Sequence, residues 1–146
     1  MKIHIALATI LGAFLLTAPE ASAQVKDDKP EKNDKESAEA LAKSLKDADA
    51  IFTAEIGKVK MLGQTNSIPA SVFGNITFKD PKMLLGKMPE GALSYGYREG
   101  LTKNLELGAE GKVLVAVKGK GVSVIVPATD ANLALAKKAI EAAKEK

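Results

Sequence analysis

The stretch AIFTAEIGKVKML, residues 50–62, decides the fold. Its apolar side chains alternate with polar ones, and the alternation changes parity at Gly57: Phe52, Ala54 and Ile56 before it, Val59 and Met61 after it. A period of two is typical of a β-strand, and an interior glycine favours a β-bulge at which the strand bends. The stretch therefore predicts one long, bent strand that serves two parts of a barrel.

Two further strands follow. Residues 72–78 alternate around Gly74, with Val72, Ile76 and Phe78 on one face and Phe73, Asn75 and Thr77 on the other. Asp80-Pro81 then predicts a bulge or an edge position, because proline has no N–H for a strand ladder. Residues 92–98 form the next strand, in which Leu93, Tyr95 and Tyr97 share a face.

The clearest hairpin lies near the end of the chain. Residues 113–117 are an unbroken apolar run, Gly119-Lys120-Gly121 is a turn, and residues 122–126 alternate. Helical periodicity predicts a short helix over about 36–48. A second helix follows a cap at Thr129 or Asp130 and runs nearly to the end of the chain.

These elements predict a mainly β, α+β domain. It is a small five-stranded antiparallel OB-like barrel, with a short helix before it and a C-terminal helix. The connections are short enough for an antiparallel meander. An open antiparallel sheet with helices on one face is the alternative, so a closed barrel and an open sheet both remain at this point.

The N-terminus has the pattern of a cleaved signal peptide. Lys2 precedes the apolar region Ile5–Leu16, and Ala21-Ser22-Ala23 is a small-x-small cleavage site. The apolar region rises only about 18 Å as a helix, less than the roughly 30 Å of a bilayer core. We therefore expect removal of residues 1–23, a periplasmic or secreted protein beginning at Gln24, and no permanent membrane anchor.

Residues 24–36, QVKDDKPEKNDKE, are almost entirely charged and predict a disordered tether. Residues 37–146 then form a single domain.

Composition excludes several kinds of chemistry. The chain has no cysteine, and its single histidine, His4, lies in the predicted signal peptide. The processed chain therefore lacks a Ser-His-Asp triad, a cysteine nucleophile, and imidazole or thiolate ligands for zinc or copper. The net charge of +3 is not clustered along the sequence, so nucleic acid is not the expected partner. We expect no enzyme activity, no catalytic residues, no cofactor and no metal site.

The candidate binding residues are Tyr95, Tyr97, Arg98 and Phe73. The tyrosines with Arg98 would make a stacking platform for a sugar or a single-stranded nucleic acid on the middle strands of the barrel. The alternation with Leu93 favours a different interpretation, in which the tyrosines belong to the core. Phe73 lies on the polar face of its strand and is expected to be exposed.

The order of elements resembles a family of exported domains. It is carried by residues 49–59, by Ile76-Thr77-Phe78 leading to Leu84-Leu85-Gly86, by Leu107-Gly108 before residues 112–115, and by the helix over residues 133–140. Together they resemble exported bacterial domains related to the netrin module and the tissue inhibitors of metalloproteinases. The resemblance implies an OB-like fold. The family's inhibition requires a free N-terminal cysteine, which this chain lacks, so that activity is not implied.

Two functions follow as expectations. The first is a non-enzymatic extracytoplasmic module that binds a protein or an envelope component. The alternative is an OB-like domain that binds oligosaccharide or nucleic acid through the strand carrying Tyr95, Tyr97 and Arg98.

Overall fold

The structure, a computed structural model, describes residues 31–99 and 104–145. Its elements are α1 (Glu31–Lys46), β1 (Ala50–Gln64), β2 (Ser71–Leu85), β3 (Leu93–Arg98), β4 (Lys112–Lys118), β5 (Gly121–Pro127) and α2 (Asp130–Lys144). The strands close into a barrel in the order β1-β2-β3-β5-β4. The predicted five-stranded OB-like barrel, with one helix before the strands and one after them along the chain, is confirmed, and the open sheet is not formed.

β1 is the long bent strand that the sequence predicts. Residues 50–55 pair with β4, and pairing with β2 extends from Ile51 to Gln64. The register shifts between Ile56 and Val59, so Gly57 lies in a bulge, and the Lys58 N–H donates to Thr77 Oγ1 at 2.9 Å. The bulge lets one strand close the barrel and then leave it beside β2.

Of the strand pairings in the described barrel, four are antiparallel, and β3 pairs with β5 in parallel. This corrects the expectation of a fully antiparallel meander. Strand directions alternate all the way around a ring only if the number of strands is even, so a closed barrel of five strands needs a parallel pair. The connection after β3 therefore crosses to β4 instead of turning back beside β3, and its Leu105 and Leu107 pack against the barrel interior.

β2 is longer than predicted because it continues through Asp80-Pro81 to Leu85. The pairing with β1 shifts register between Thr53 and Glu55, which places the predicted bulge at this dipeptide, and Asp80 there adopts a positive φ of 47°. The β4–β5 hairpin is confirmed, with its turn at Gly119, whose φ is 61°. The Asp49 carboxylate accepts a 2.7 Å hydrogen bond from the Gly119 N–H, which ties this turn to the start of β1.

The sheet lies between two clusters of buried apolar side chains. One fills the barrel, and the other lies between the outer side of the sheet and the two helices. β4 contributes to both, because Val113, Val115 and Val117 point inward while Leu114 and Ala116 lie under the helices. This double coverage explains the unbroken apolar run of β4.

The C-terminal helix begins at a predicted cap, whereas the N-terminal helix begins earlier than predicted. Thr129 caps α2 by accepting from the Asn132 N–H at 3.3 Å. α1 begins at Glu31, so residues 31–36 of the predicted tether belong to the helix, consistent with the high helix propensity of glutamate and lysine. The predicted signal peptide and residues 24–30 lie outside the part of the chain that the structure describes. Within that part, no helix has the length and apolarity needed to cross a bilayer.

Candidate functional site

The four predicted site residues divide between two faces of the sheet. Tyr95 is 4% exposed and belongs to the barrel core, and Tyr97 is half-buried against the same cluster. Their rings stack with centroids 6.4 Å apart and an angle of 18° between the planes. The core interpretation is confirmed for Tyr95, whose ring is not a surface platform.

The Tyr95 ring packs over a glycine on the neighbouring strand. Gly74 pairs with Tyr95, and a Cβ at Gly74 would lie 2.6 Å from Tyr95 Oη and would collide with the Lys60 carbonyl oxygen. Only glycine leaves room for the phenol at this point. Burial raises the pKa of the Tyr95 phenol, and the nearby Tyr97 phenol raises this pKa further.

Phe73 and Arg98 lie on the opposite, outer face, and both are exposed. Phe73 pairs with Gly96 and Arg98 with Ser71, so Arg98 is a diagonal neighbour of Phe73 on that face. On the other side of Phe73, its Cζ atom lies over Gly63, only 2.5 Å from where a Cβ would be. The structure thus brings Phe73 and Arg98 together and separates them from Tyr95.

The same face continues onto β1. Lys60 pairs with Asn75, which in turn pairs with Ser94 of β3, so these three side chains form a polar row beside Phe73. Lys58 lies at the Gly57 bulge, opposite Thr77. We call the set Lys58, Lys60, Phe73, Asn75, Ser94 and Arg98 the outer face.

Most of the exposed large apolar side chains in the described part of the chain lie towards the end of the β1–β2 hairpin. We call residues 57–78 the hairpin arm. Among the described residues there are seven exposed large apolar side chains, and five belong to the arm: Val59, Met61, Leu62, Ile68 and Phe73. Val59 and Met61 pair with Ile76 and Gly74, so they point to the side that is the barrel interior elsewhere, but β4 stops pairing with β1 at Glu55. Their side chains are therefore 42% and 62% exposed.

Hydrogen bonds order the loop at the tip of the arm. The Thr65 N–H donates to the Ser71 carbonyl and the Ser71 N–H donates to Thr65 Oγ1, both at 2.9 Å. Ser67 Oγ lies 2.7 Å from Thr65 Oγ1 and donates to the Pro69 carbonyl at 3.0 Å. Ile68 stands at the apex of this loop and is fully exposed. Another hydrogen bond joins the loop to the residue that follows β3: the Glu99 N–H donates to the Ala70 carbonyl at 3.0 Å.

The charge of the arm is one-sided. Residues 57–78 contain Lys58 and Lys60 and no aspartate or glutamate, and β3 contributes Arg98 and no carboxylate. The nearest acidic residues along the chain are Glu55, Asp80 and Glu99, which border these segments. The arm and the adjacent part of β3 are therefore apolar and basic at once.

In the described part of the chain, further surface depressions lie away from the arm and the outer face. One, of about 170 Å³, is lined by residues of mixed charge: Thr53, Ala54, Glu55, Asp80, Lys82 and Lys112. Another, of about 220 Å³, lies between the helices and is lined by Lys46, Ala139, Ala142 and Ala143. No group of three or more His, Cys, Asp or Glu side chains in residues 37–99 and 104–145 is arranged to hold a metal ion.

Sequence reasoning missed Ile68, Met61 and Leu62. The alternation predicts Met61 on the apolar face of a barrel strand, which is correct for its direction and wrong for its burial. A signal for the surface was present in the lack of acidic residues over residues 57–78 combined with repeated apolar residues.

No family model matches this chain, and neither does any of the curated proteins or solved structures with which it was compared.

Proposed function

We propose that this protein is an exported, non-enzymatic binding module that docks on a protein or an envelope component through its hairpin arm. The observation that carries the proposal is the concentration of exposed apolar side chains on the arm. Exposed apolar side chains that are concentrated in one segment of a small domain commonly mark an interaction site. The ordered loop supports the same role, because a pre-ordered surface loses less entropy on binding.

Export and the lack of catalysis are parts of the same proposal. Export rests on the sequence pattern of residues 1–23. The non-enzymatic character rests on composition, since a processed chain without cysteine or histidine lacks the most common nucleophiles and general bases. The resemblance to netrin-related domains remains a prediction, and we do not propose protease inhibition for a chain without the family's cysteine.

A capture experiment tests the role of the arm. The processed chain beginning at Gln24 is immobilised and exposed to an envelope extract, next to an Ile68→Ser variant and a Leu84→Ser control. Leu84 is 40% exposed but lies outside the arm, so the pair compares the same change at two exposed apolar positions. We expect Ile68→Ser to lose the retained material and Leu84→Ser to keep it. Equal retention by all three chains would contradict docking through the arm.

A second candidate function is favoured by a specific observation. On the outer face, the exposed Phe73 ring has Arg98 and Lys60 close to it, which is the combination that stacks on bases or sugars and neutralises an anionic chain. This would be the oligosaccharide- or nucleic-acid-binding alternative, with Phe73 in place of the tyrosines. Titration with glycan and oligonucleotide panels tests it. Such a ligand would lose roughly 1–3 kcal/mol of binding on Phe73→Ala, whereas Ile68→Ser would leave its affinity unchanged.

A further inference from the structure

We propose that the envelope component bound by the hairpin arm is the surface of an anionic lipid bilayer, with Ile68 entering the interface and the basic side chains contacting the headgroups. This inference rests on the proposed function and narrows it to one partner.

The apolar tip has the form that shallow membrane insertion needs. Ile68 is fully exposed at the apex of a loop whose polar groups are already joined by hydrogen bonds through Thr65, Ser67 and Ser71. Met61 and Leu62, 62% and 53% exposed, lie on β1 near the base of that loop. Burial of such side chains at the boundary between headgroups and acyl chains removes apolar area from water without breaking any of these bonds.

The charge of the arm fits an anionic surface. Lys58, Lys60 and Arg98 lie on the outer face with Phe73, and residues 57–78 carry no carboxylate. The acidic residue nearest to the loop is Glu99, whose N–H donates to the Ala70 carbonyl, so the cations outnumber it by three to one. Each Lys or Arg near an anionic leaflet contributes about 1 kcal/mol of attraction. Three cations combined with a shallow apolar insertion give reversible binding.

Other occupants explain only part of these observations. A glycan or a nucleic acid would use Phe73 and Arg98 but would leave Ile68, Met61 and Leu62 unexplained. A second copy of this chain would bring Lys58 and Lys60 of one arm towards the same charges on the other, because an isologous interface places the same patch on both partners. A bilayer with anionic headgroups accommodates the exposed Ile68 at the tip of the arm together with the basic residues of the outer face.

Vesicle co-sedimentation tests the inference. The processed chain is used, because the apolar segment of an uncleaved signal peptide would bind vesicles by itself, and all of the described elements lie C-terminal to Gln24. Vesicles consist of phosphatidylcholine alone or of phosphatidylcholine mixed with phosphatidylglycerol. We expect binding to the mixed vesicles only, and weaker binding when the salt concentration rises from about 0.1 M to about 1 M, where the Debye length falls from about 10 Å to about 3 Å.

Paired variants identify the residues responsible. Ile68→Ser should lower partitioning about tenfold, and Leu84→Ser should leave it unchanged. Lys60→Gln should lower it about fivefold. Lys138→Gln, an exposed lysine on α2, is the matched control and should have no effect. Unchanged circular dichroism and thermal midpoints would show that each variant is folded.

The outcomes separate this inference from the proposed function. Loss of vesicle binding in Ile68→Ser and Lys60→Gln, but not in the controls, supports the lipid surface. No binding to either vesicle, or binding that neither variant changes, overturns it. If vesicles fail while capture of an envelope protein still depends on Ile68, the proposed function stands without the lipid. If neither vesicle binding nor capture depends on Ile68, both are wrong, and binding to glycans or oligonucleotides that depends on Phe73 and Arg98 would then identify the second candidate.

Discussion

The β4–β5 hairpin and the hairpin arm are both antiparallel β-hairpins, but their side chains are buried to opposite extents. In β4, residues 113–117 are all buried, because the barrel interior covers one side and the two helices cover the other. In the arm, β1 from Lys58 to Leu62 is exposed at every residue, although Val59, Lys60 and Met61 are paired with β2. Pairing alone therefore does not decide burial, which depends on what lies against each face of the ribbon.

This difference separates stability from binding within one small domain. Apolar burial, at roughly 25 cal/mol per Å², is concentrated around β4, β5 and the first half of β1. The second half of β1 contributes little to that core. Substitution of its apolar residues should therefore change binding more than stability, whereas substitutions in the core should lower the free energy of unfolding.

The largest effect is expected from a matched pair of phenylalanines. Phe52 is fully buried in the barrel and makes an edge contact with Phe78, with ring centroids 5.3 Å apart, whereas Phe73 is 47% exposed on the arm. Phe52→Ala should lower the free energy of unfolding by about 3–5 kcal/mol through the cavity that it leaves. Phe73→Ala should cost about 1 kcal/mol or less. Urea unfolding monitored by circular dichroism measures both values, and equal losses would contradict the division.

A pair of glycines sharpens the comparison at the boundary between the regions. Gly74→Ala places a methyl group against the Lys60 carbonyl and the Tyr95 phenol, and the backbone contact cannot be relieved by a side-chain rotation. It should cost about 1–3 kcal/mol of folding free energy. At Gly96 the new methyl group would lie 3.7 Å from its nearest neighbour, the Val72 carbonyl oxygen, so Gly96→Ala should change stability by about 0.5 kcal/mol or less. A larger loss at Gly96 than at Gly74 in thermal unfolding would refute this account of how β2 and β3 pack.

The smallest effect concerns pH and appears only under alkaline conditions. Because burial raises the pKa of Tyr95 in the folded chain, the folded state favours the neutral phenol. That stabilisation is complete below the unfolded-state pKa of about 10 and is lost as the pH rises through the higher folded-state value. Wild-type unfolding free energy should fall more steeply than that of Tyr95→Phe as the pH rises above the unfolded-state pKa of about 10. Parallel slopes for the two chains would show that Tyr95 ionises as freely in the folded state as in the unfolded state.

The elements of the barrel could be predicted because their sequences carry one consistent signal each. The parity change at Gly57 indicated the bulge of β1, the apolar run of residues 113–117 indicated the hairpin, and Thr129 indicated the cap of α2. The start of α1 was missed because charged residues predict solvation equally well in a helix and in a disordered segment. The parallel β3–β5 pair was missed because short connections favour a meander, while the closure of five strands is a property of the whole ring.

The candidate site was predicted only in part. Phe73 was correctly expected to be exposed, and the alternation of β3 placed Tyr95 in the core. The alternation of β1 does not predict the exposure of Met61 and Val59, because it is the alternation of an ordinary inward face. Their exposure depends on β4 ending its pairing at Glu55, a long-range feature that no local pattern in β1 reports.

The most direct test of the central claim is amide hydrogen exchange along the processed chain with and without vesicles that contain phosphatidylglycerol. In the free protein, residues 113–117 and 122–126 should exchange most slowly and residues 57–64 faster, because the edge of the arm beyond Glu55 has no pairing with β4. Addition of vesicles should slow exchange in the loop at residues 65–70 and leave the β4–β5 hairpin unchanged. Exchange in the arm as slow as in β4, or vesicle protection spread evenly over the barrel, would contradict the separation of a stabilising core from a binding arm.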